Sequence, residues 1–163
     1  MKTLVLATAV LGLVSCGHHT ALVKYREPQD GWTVSYPASM SPQAIGYAKG
    51  MLRARGAVIA SSPEVRATEE VYFRRFPPDA VAFGLVRYFG GPARGLRGPN
   101  TRLPLERARF TPVQGAPPPT TLEQSINANG STWHVFVWFG PKASDDDKNA
   151  VWRIVRSIGM PSH

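Results

Sequence analysis

The chain has 163 residues, with 19 Lys and Arg against 11 Asp and Glu, giving a formal net charge of +8. That length suits one domain with its own hydrophobic core. A single cysteine, Cys16, excludes an internal disulfide framework. The basic excess is mostly arginine, and Lys is absent between Arg53 and Arg109. High Arg, Gly, Ala and Pro content is the mark of GC-rich codons. Functionally, the excess points to attraction for polyanions. No RNA-binding signature or basic helix accompanies the charge, so nucleic acid is not an expected partner.

The chain opens with MKTLVLATAVLGLVSC. Lys2 supplies a positive start, and Leu4 to Val14 form a short apolar run of the length of a secretory signal. A membrane-spanning helix needs about twenty apolar residues, and polar residues Gly17, His18, His19 and Thr20 follow at once. Leu13-Val14-Ser15-Cys16 resembles the lipobox of the prolipoprotein signal family. That resemblance implies a diacylglycerol thioether on Cys16 and cleavage after Ser15. The competing readings are an ordinary secretory signal and an uncleaved anchor. With the thiol used in this way, the exported domain folds without any cysteine chemistry. Its basic surface then meets anionic lipid or phosphate-bearing wall polymer. The expected organisation is a signal peptide over residues 1–15, a lipidated Cys16 and tether over 16–29, and one globular domain over 30–163.

Trp32 to Tyr36 alternates apolar and polar, the period of a strand with one buried face, and Pro37 ends it. Met40 to Arg55 is ambiguous: Ile45, Ala48 and Leu52 have helical spacing, but Gly46 and Gly50 disfavour a helix, so extended structure over 45–47 is expected. A strand is expected from Arg53 to Ser61, and irregular chain with a helical turn from Pro63 to Arg75. Ala80 to Phe89 is apolar on both faces, which marks an inner strand covered on both sides. Gly90 to Asn100 reads as a loop, Leu103 to Phe110 as a short strand or edge segment, and Thr111 to Thr121 as a proline-stiffened loop.

The last third is the clearest. Leu122–Ala128 and Ser131–Phe139 are strands joined by Asn129-Gly130, a two-residue hairpin turn. Trp133, Val135, Val137 and Phe139 share one face; His134, Phe136 and Trp138 share the other. Ser144 caps a helix whose first turn holds Asp145, Asp146 and Asp147, whose apolar stripe is Val151, Ile154, Val155 and Ile158, and which Gly159 and Pro161 end. The fold class is therefore α+β. A mostly antiparallel central sheet of about five to seven strands carries a C-terminal helix packed on it, or becomes a three-layer α/β/α sandwich if helices cover both faces.

Three stretches carry a further resemblance: Gly31-Trp32-x-Val34-x-Tyr36-Pro37, the apolar strand running from Trp133 to Gly140-Pro141, and the helix ending Ile154-Val155-x-Ser157-Ile158. Together they are similar to small exported bacterial lipoproteins related to the PsbP-like family, named for an extrinsic protein of the photosynthetic oxygen-evolving complex. The resemblance implies a central antiparallel sheet with helices on both sides and a largely non-enzymatic role. The family has no shared catalytic motif, so no site residue is carried over.

Candidate chemistry is sparse. His134 is the one histidine inside a strand, but no nucleophile-elbow motif accompanies it, so it reads as structural. His18-His19 has no further ligand at metal spacing, and Asp145 to Asp147 lacks the alternation of a calcium loop, so no metal and no cofactor are expected. Asn129-Gly130-Ser131 is formally a glycosylation sequon, better explained by the hairpin. The glycine-rich stretch from Gly90 to Gly98 resembles an anion-cradling loop, with Arg94, Arg97 and Arg102 as donors. Trp152 flanks the helix stripe and could face a partner or a bilayer. The expected function is a non-catalytic, lipid-anchored, extracytoplasmic binding or accessory module. Its partners would be the membrane through Cys16 and an envelope protein, anionic lipid or wall polymer. The alternatives are an envelope hydrolase or transferase, and a purely structural envelope component.

Overall fold

The structure, a computed structural model, describes residues 21–49, 52–67, 73–89, 99–115 and 119–161. Its frame is a six-stranded antiparallel sheet in the order β3-β4-β7-β10-β9-β8, formed by β3 (Ser41–Lys49), β4 (Leu52–Ala60), β7 (Val81–Phe89), β8 (Thr111–Pro112), β9 (Thr120–Ala128) and β10 (Ser131–Phe139). The expected apolar strand over 80–89 is β7, at the centre between β4 and β10. Val81 to Val86 are all buried. The β9–β10 hairpin has the expected turn: Asn129 and Gly130 have φ of 53° and 70°, and Ser131 pairs with Ala128.

One sheet face packs on helix α1 (Asp145–Arg156). Val81, Phe83 and Leu85 meet Trp133, Val135 and Val137 from β10, and the helix adds Val151, Trp152, Ile154 and Val155. Ser144 caps the helix: its Oγ accepts the Asp147 N–H at 3.1 Å. The acidic first turn and the basic last turn, with Arg153 and Arg156, both suit the helix dipole. Gly159 does more than stop the helix. It exchanges two backbone hydrogen bonds of 2.8 Å with Thr33, and a Cβ on it would lie 2.8 Å from the Thr33 hydroxyl.

Thr33 belongs to β2 (Thr33–Pro37), which pairs with β1 (Leu22–Arg26) in a separate two-stranded ribbon. Trp32, Val34 and Tyr36 send their side chains into the same core as the helix. The segment expected as a tether over 16–29 therefore contains the strand β1. Its side chains carry no burial pattern, with Leu22, Val23, Lys24 and Arg26 exposed. β1 is held by its ladder to β2, which hydrophobic periodicity does not report.

The opposite sheet face buries Val58, Ala60, Ala82, Val86 and Trp138, with Phe73 and Phe76 packed on them. A second ribbon, β5 (Arg66–Ala67) with β6 (Phe73–Arg75), supplies this cover. Among the described residues α1 is the sole α-helix, so the cover that a three-layer sandwich would take from helices comes from a strand ribbon. Two other expectations change. Leu103 to Phe110 forms no strand; it holds a 3-10 turn at Arg107–Arg109, pinned by the buried side chains of Leu105 and Phe110. The strand expected over 45–47 extends across 41–49 because β3 pairs along the whole of β4.

The β1–β2 ribbon is also clamped electrostatically. Arg55 and Arg87 stand directly opposite each other on β4 and β7, a like-charge pair that is unfavourable alone. Asp30, in the β1–β2 turn, accepts from Arg55 Nε at 2.8 Å and Nη2 at 2.7 Å, and from Arg87 Nη1 at 3.0 Å. The buried Glu27 carboxylate shapes that turn by accepting the N–H groups of Gln29 and Asp30. The Arg87 guanidinium lies between the rings of Phe89 and Trp133, at 5.9 and 5.7 Å from their centroids.

Two stability predictions follow from these contacts. Asp30→Asn should lower unfolding free energy by about 2 kcal/mol in urea denaturation. This is less than the roughly 3–5 kcal/mol of a fully buried pair, because the two arginine side chains are 31% and 32% exposed. A Cβ on Gly84 would sit 2.7 Å from the Trp138 ring lying across it. Gly84→Ala should therefore cost about 1–3 kcal/mol by overpacking, whereas Gly115→Asn, in an open turn at φ 71°, should change stability by less than about 0.5 kcal/mol.

Candidate functional site

Among the described residues, an open cleft of about 650 Å³ lies between the chain segment 102–108 and one side of α1. Helix residues Asn149, Trp152 and Arg156 line it at helical spacing, and Arg102, Leu103 and Arg107 face them from the segment. The segment is held there by Leu105 and Phe110, whose side chains are buried in the helix-side core. The Phe110 ring meets Trp152 edge-on at 5.0 Å.

Trp152 is only 3% exposed, so it joins core and cleft. The sequence placed it on the flank of the helix stripe, and the 102–110 segment closes over that flank. Its indole N–H has no acceptor among the described residues. The Arg107 guanidinium stacks over its ring at 5.2 Å from the centroid, a cation–π contact. Arg156 Nε approaches the Trp152 carbonyl at 3.4 Å.

The electrostatics of the cleft are one-sided. Arg102, Arg107 and Arg156 are exposed and have no carboxylate partner among the described residues. The cleft's one acidic residue, Glu106, is paired with Arg109 at 3.5 Å. The rim is thus cationic, and the floor formed by Leu105 and Trp152 is apolar. Such a site can hold an anion and cover an attached apolar group.

Of the residues singled out from sequence, Arg102 lies in this cleft, while Cys16, Arg94 and Arg97 lie outside the described residues. Arg107 and Arg156 were missed. Nothing in the linear order pairs the 102–108 segment with the helix about fifty residues later. The available signal was the run Arg102, Arg107, Arg109, dense in arginine and free of lysine.

His134 has two neighbours that sequence did not place. Its Nδ1 lies 2.5 Å from Glu123 Oε1 and 3.3 Å from Ser125 Oγ, across the β9–β10 ladder. A histidine that activates a hydroxyl uses one ring nitrogen for the hydroxyl and the other for the carboxylate. Here both partners meet the same nitrogen, so the group works as a cross-strand polar ladder. Rings extend it: Tyr88 meets His134 edge-on at 5.0 Å, and Phe136 stacks on it at 6.2 Å. No group of three His, Cys, Asp or Glu among the described residues is placed to hold a metal. No helix among them is long and apolar enough to cross a membrane.

A double-mutant cycle on Glu123→Gln and His134→Phe should give a coupling of about 0.5–1 kcal/mol near pH 6, the scale of a half-exposed pair. Ser125→Ala should change stability by less than about 0.5 kcal/mol. A much larger serine effect in urea denaturation would contradict the ladder.

No family model matches the sequence, and no curated protein matches it. Among solved structures, it is similar to the solution structure of cyanobacterial PsbP (CyanoP) from Synechocystis sp. PCC 6803. The two chains are 13% identical over 91% of this chain and 99% of that one, with a TM-score of 0.36.

Proposed function

We propose that the protein is a lipid-anchored, extracytoplasmic binding module of the bacterial cell envelope, and that its ligand is anionic. The observation that carries the binding half is the cleft beside α1. There, three exposed arginines without carboxylate partners among the described residues surround an apolar floor. Unpaired guanidinium groups held on a folded surface retain affinity for carboxylate or phosphate. The anchoring half rests on the lipobox-like Leu13-Val14-Ser15-Cys16. From Cys16 to the start of β1 at Leu22 is six residues, a reach of about 20 Å at most. A lipid on Cys16 would therefore hold the domain close to the bilayer surface, where basic side chains gain about 1 kcal/mol each from anionic head groups.

The arrangement around His134 disfavours one route to hydrolysis, the Ser-His-carboxylate type. That type needs a hydroxyl on one imidazole nitrogen and a carboxylate on the other, whereas Ser125 and Glu123 both meet Nδ1.

Each half has its own test. Mass spectrometry of the exported protein should find a diacylglyceryl-modified Cys16 as the first residue, and Cys16→Ala should leave the membrane fraction or stay unprocessed. Unchanged processing and fractionation of Cys16→Ala would defeat the anchor. For the cleft, a photocrosslinking residue at position 149 should capture anionic envelope material in living cells. The Arg102→Gln/Arg156→Gln double variant should reduce that capture about tenfold. A crosslinker at position 66, on β5, serves as background, and capture at 149 no greater than at 66 would sink the binding reading.

A further inference from the structure

The chemistry of the cleft narrows the ligand further; this step rests on the binding reading above. We propose that the cleft takes a phosphate monoester carrying a compact apolar group, with the phosphate at the arginine rim and the apolar group against the exposed side chain of Leu103.

Charge and geometry both favour phosphate. Arg102, Arg107 and Arg156 line the cleft. Glu106, the single carboxylate in the lining, is occupied by Arg109. A phosphate monoester carries about −1.5 to −2 charges at neutral pH, with three strong acceptor oxygens. A carboxylate brings one charge and two oxygens. Three planar guanidinium forks are matched by the first and over-supplied for the second. Arg102 and Arg107 come from one chain segment and Arg156 from the helix, so the cations approach from opposite walls.

The apolar part of the lining favours an apolar body beside the phosphate. Leu105 is 4% exposed and Trp152 3% exposed, both at the base of the cleft, while Leu103 at its side is 37% exposed. A volume of about 650 Å³ exceeds what a bare phosphate fills and lies within the range of small-molecule sites. The same chemistry occurs in a soluble phosphomonoester and in a lipid whose head group is a terminal phosphate.

The test is calorimetric titration of the exported protein, in phosphatidylcholine nanodiscs if it carries a lipid and in buffer if it does not. The probes are phenyl phosphate, inorganic phosphate and phenol. Phenyl phosphate should bind about tenfold tighter than inorganic phosphate, and phenol should give no saturable heat. Arg102→Gln/Arg156→Gln should weaken phenyl phosphate about tenfold or more. Arg66→Gln, on β5, should leave it unchanged. Replacing part of the phosphatidylcholine by phosphatidic acid separates the two sources. A fall in apparent affinity for phenyl phosphate assigns the cleft to a lipid phosphate, and no change assigns it to a soluble ester. Equal affinities for phenyl and inorganic phosphate, or an arginine double variant that binds like the parent while circular dichroism shows it folded, would overturn the proposal. Failure here with position-149 capture intact would remove the ligand class and leave the binding module standing. Loss of both would remove the module itself.

Discussion

Everything in this fold follows from a sheet whose two central strands are apolar on both faces. β7 buries Val81, Phe83 and Leu85 one way and Ala82 and Val86 the other, and β10 divides Val135 and Val137 from Trp138 in the same manner. Exposing either face would forfeit roughly 1.5–3 kcal/mol for each large side chain returned to water. With one α-helix among the described residues, the chain covers the two faces by different means. Helix α1 and the β1–β2 ribbon close one side, and the β5–β6 ribbon with Phe73 and Phe76 closes the other.

That solution places charge in demanding positions. Bringing β1–β2 over the sheet sets the Asp30 turn against Arg55 and Arg87, which the β4–β7 register holds face to face. A carboxylate between two guanidinium groups resolves their repulsion and fixes the ribbon against the inner strands β4 and β7. The bridge between Thr33 and Gly159 then ties the same ribbon to the end of α1. The helix is thereby located at both its core stripe and its terminus, and the cleft on its outer side inherits that rigidity. A site built on a packed helix holds its geometry better than one built on loops alone.

The cleft is also where core and surface meet in one residue. Trp152 packs edge-on with Phe110 and tilts against Phe139, yet its other side lines the cleft beneath Arg107. Its position explains why a segment with no regular strand remains ordered: Leu105 and Phe110 anchor it from below, and arginine stacking closes it from above. The His134 ladder is the contrasting case. It gathers a carboxylate, a hydroxyl and an imidazole, but both partners converge on one nitrogen, and the result is cross-strand cohesion.

Local sequence determined those features whose physics is local. The alternation in Ser131–Phe139, the Asn129-Gly130 turn, the two-faced run at Val81–Phe89 and the capped helix from Asp145 were all legible because period, turn dihedrals and capping depend on neighbours a few residues apart. The tertiary structure decided what depends on distant partners. β1 is held by its ladder to β2, with only Tyr25 of its side chains packed against the core. Trp152 turned inward because the 102–110 segment folds over it. Arg102 found its companions in Arg107 and Arg156, the latter on a helix more than fifty residues away. A binding site of this kind is a coincidence of surfaces in space, and the order of residues along a chain does not record which surfaces will meet.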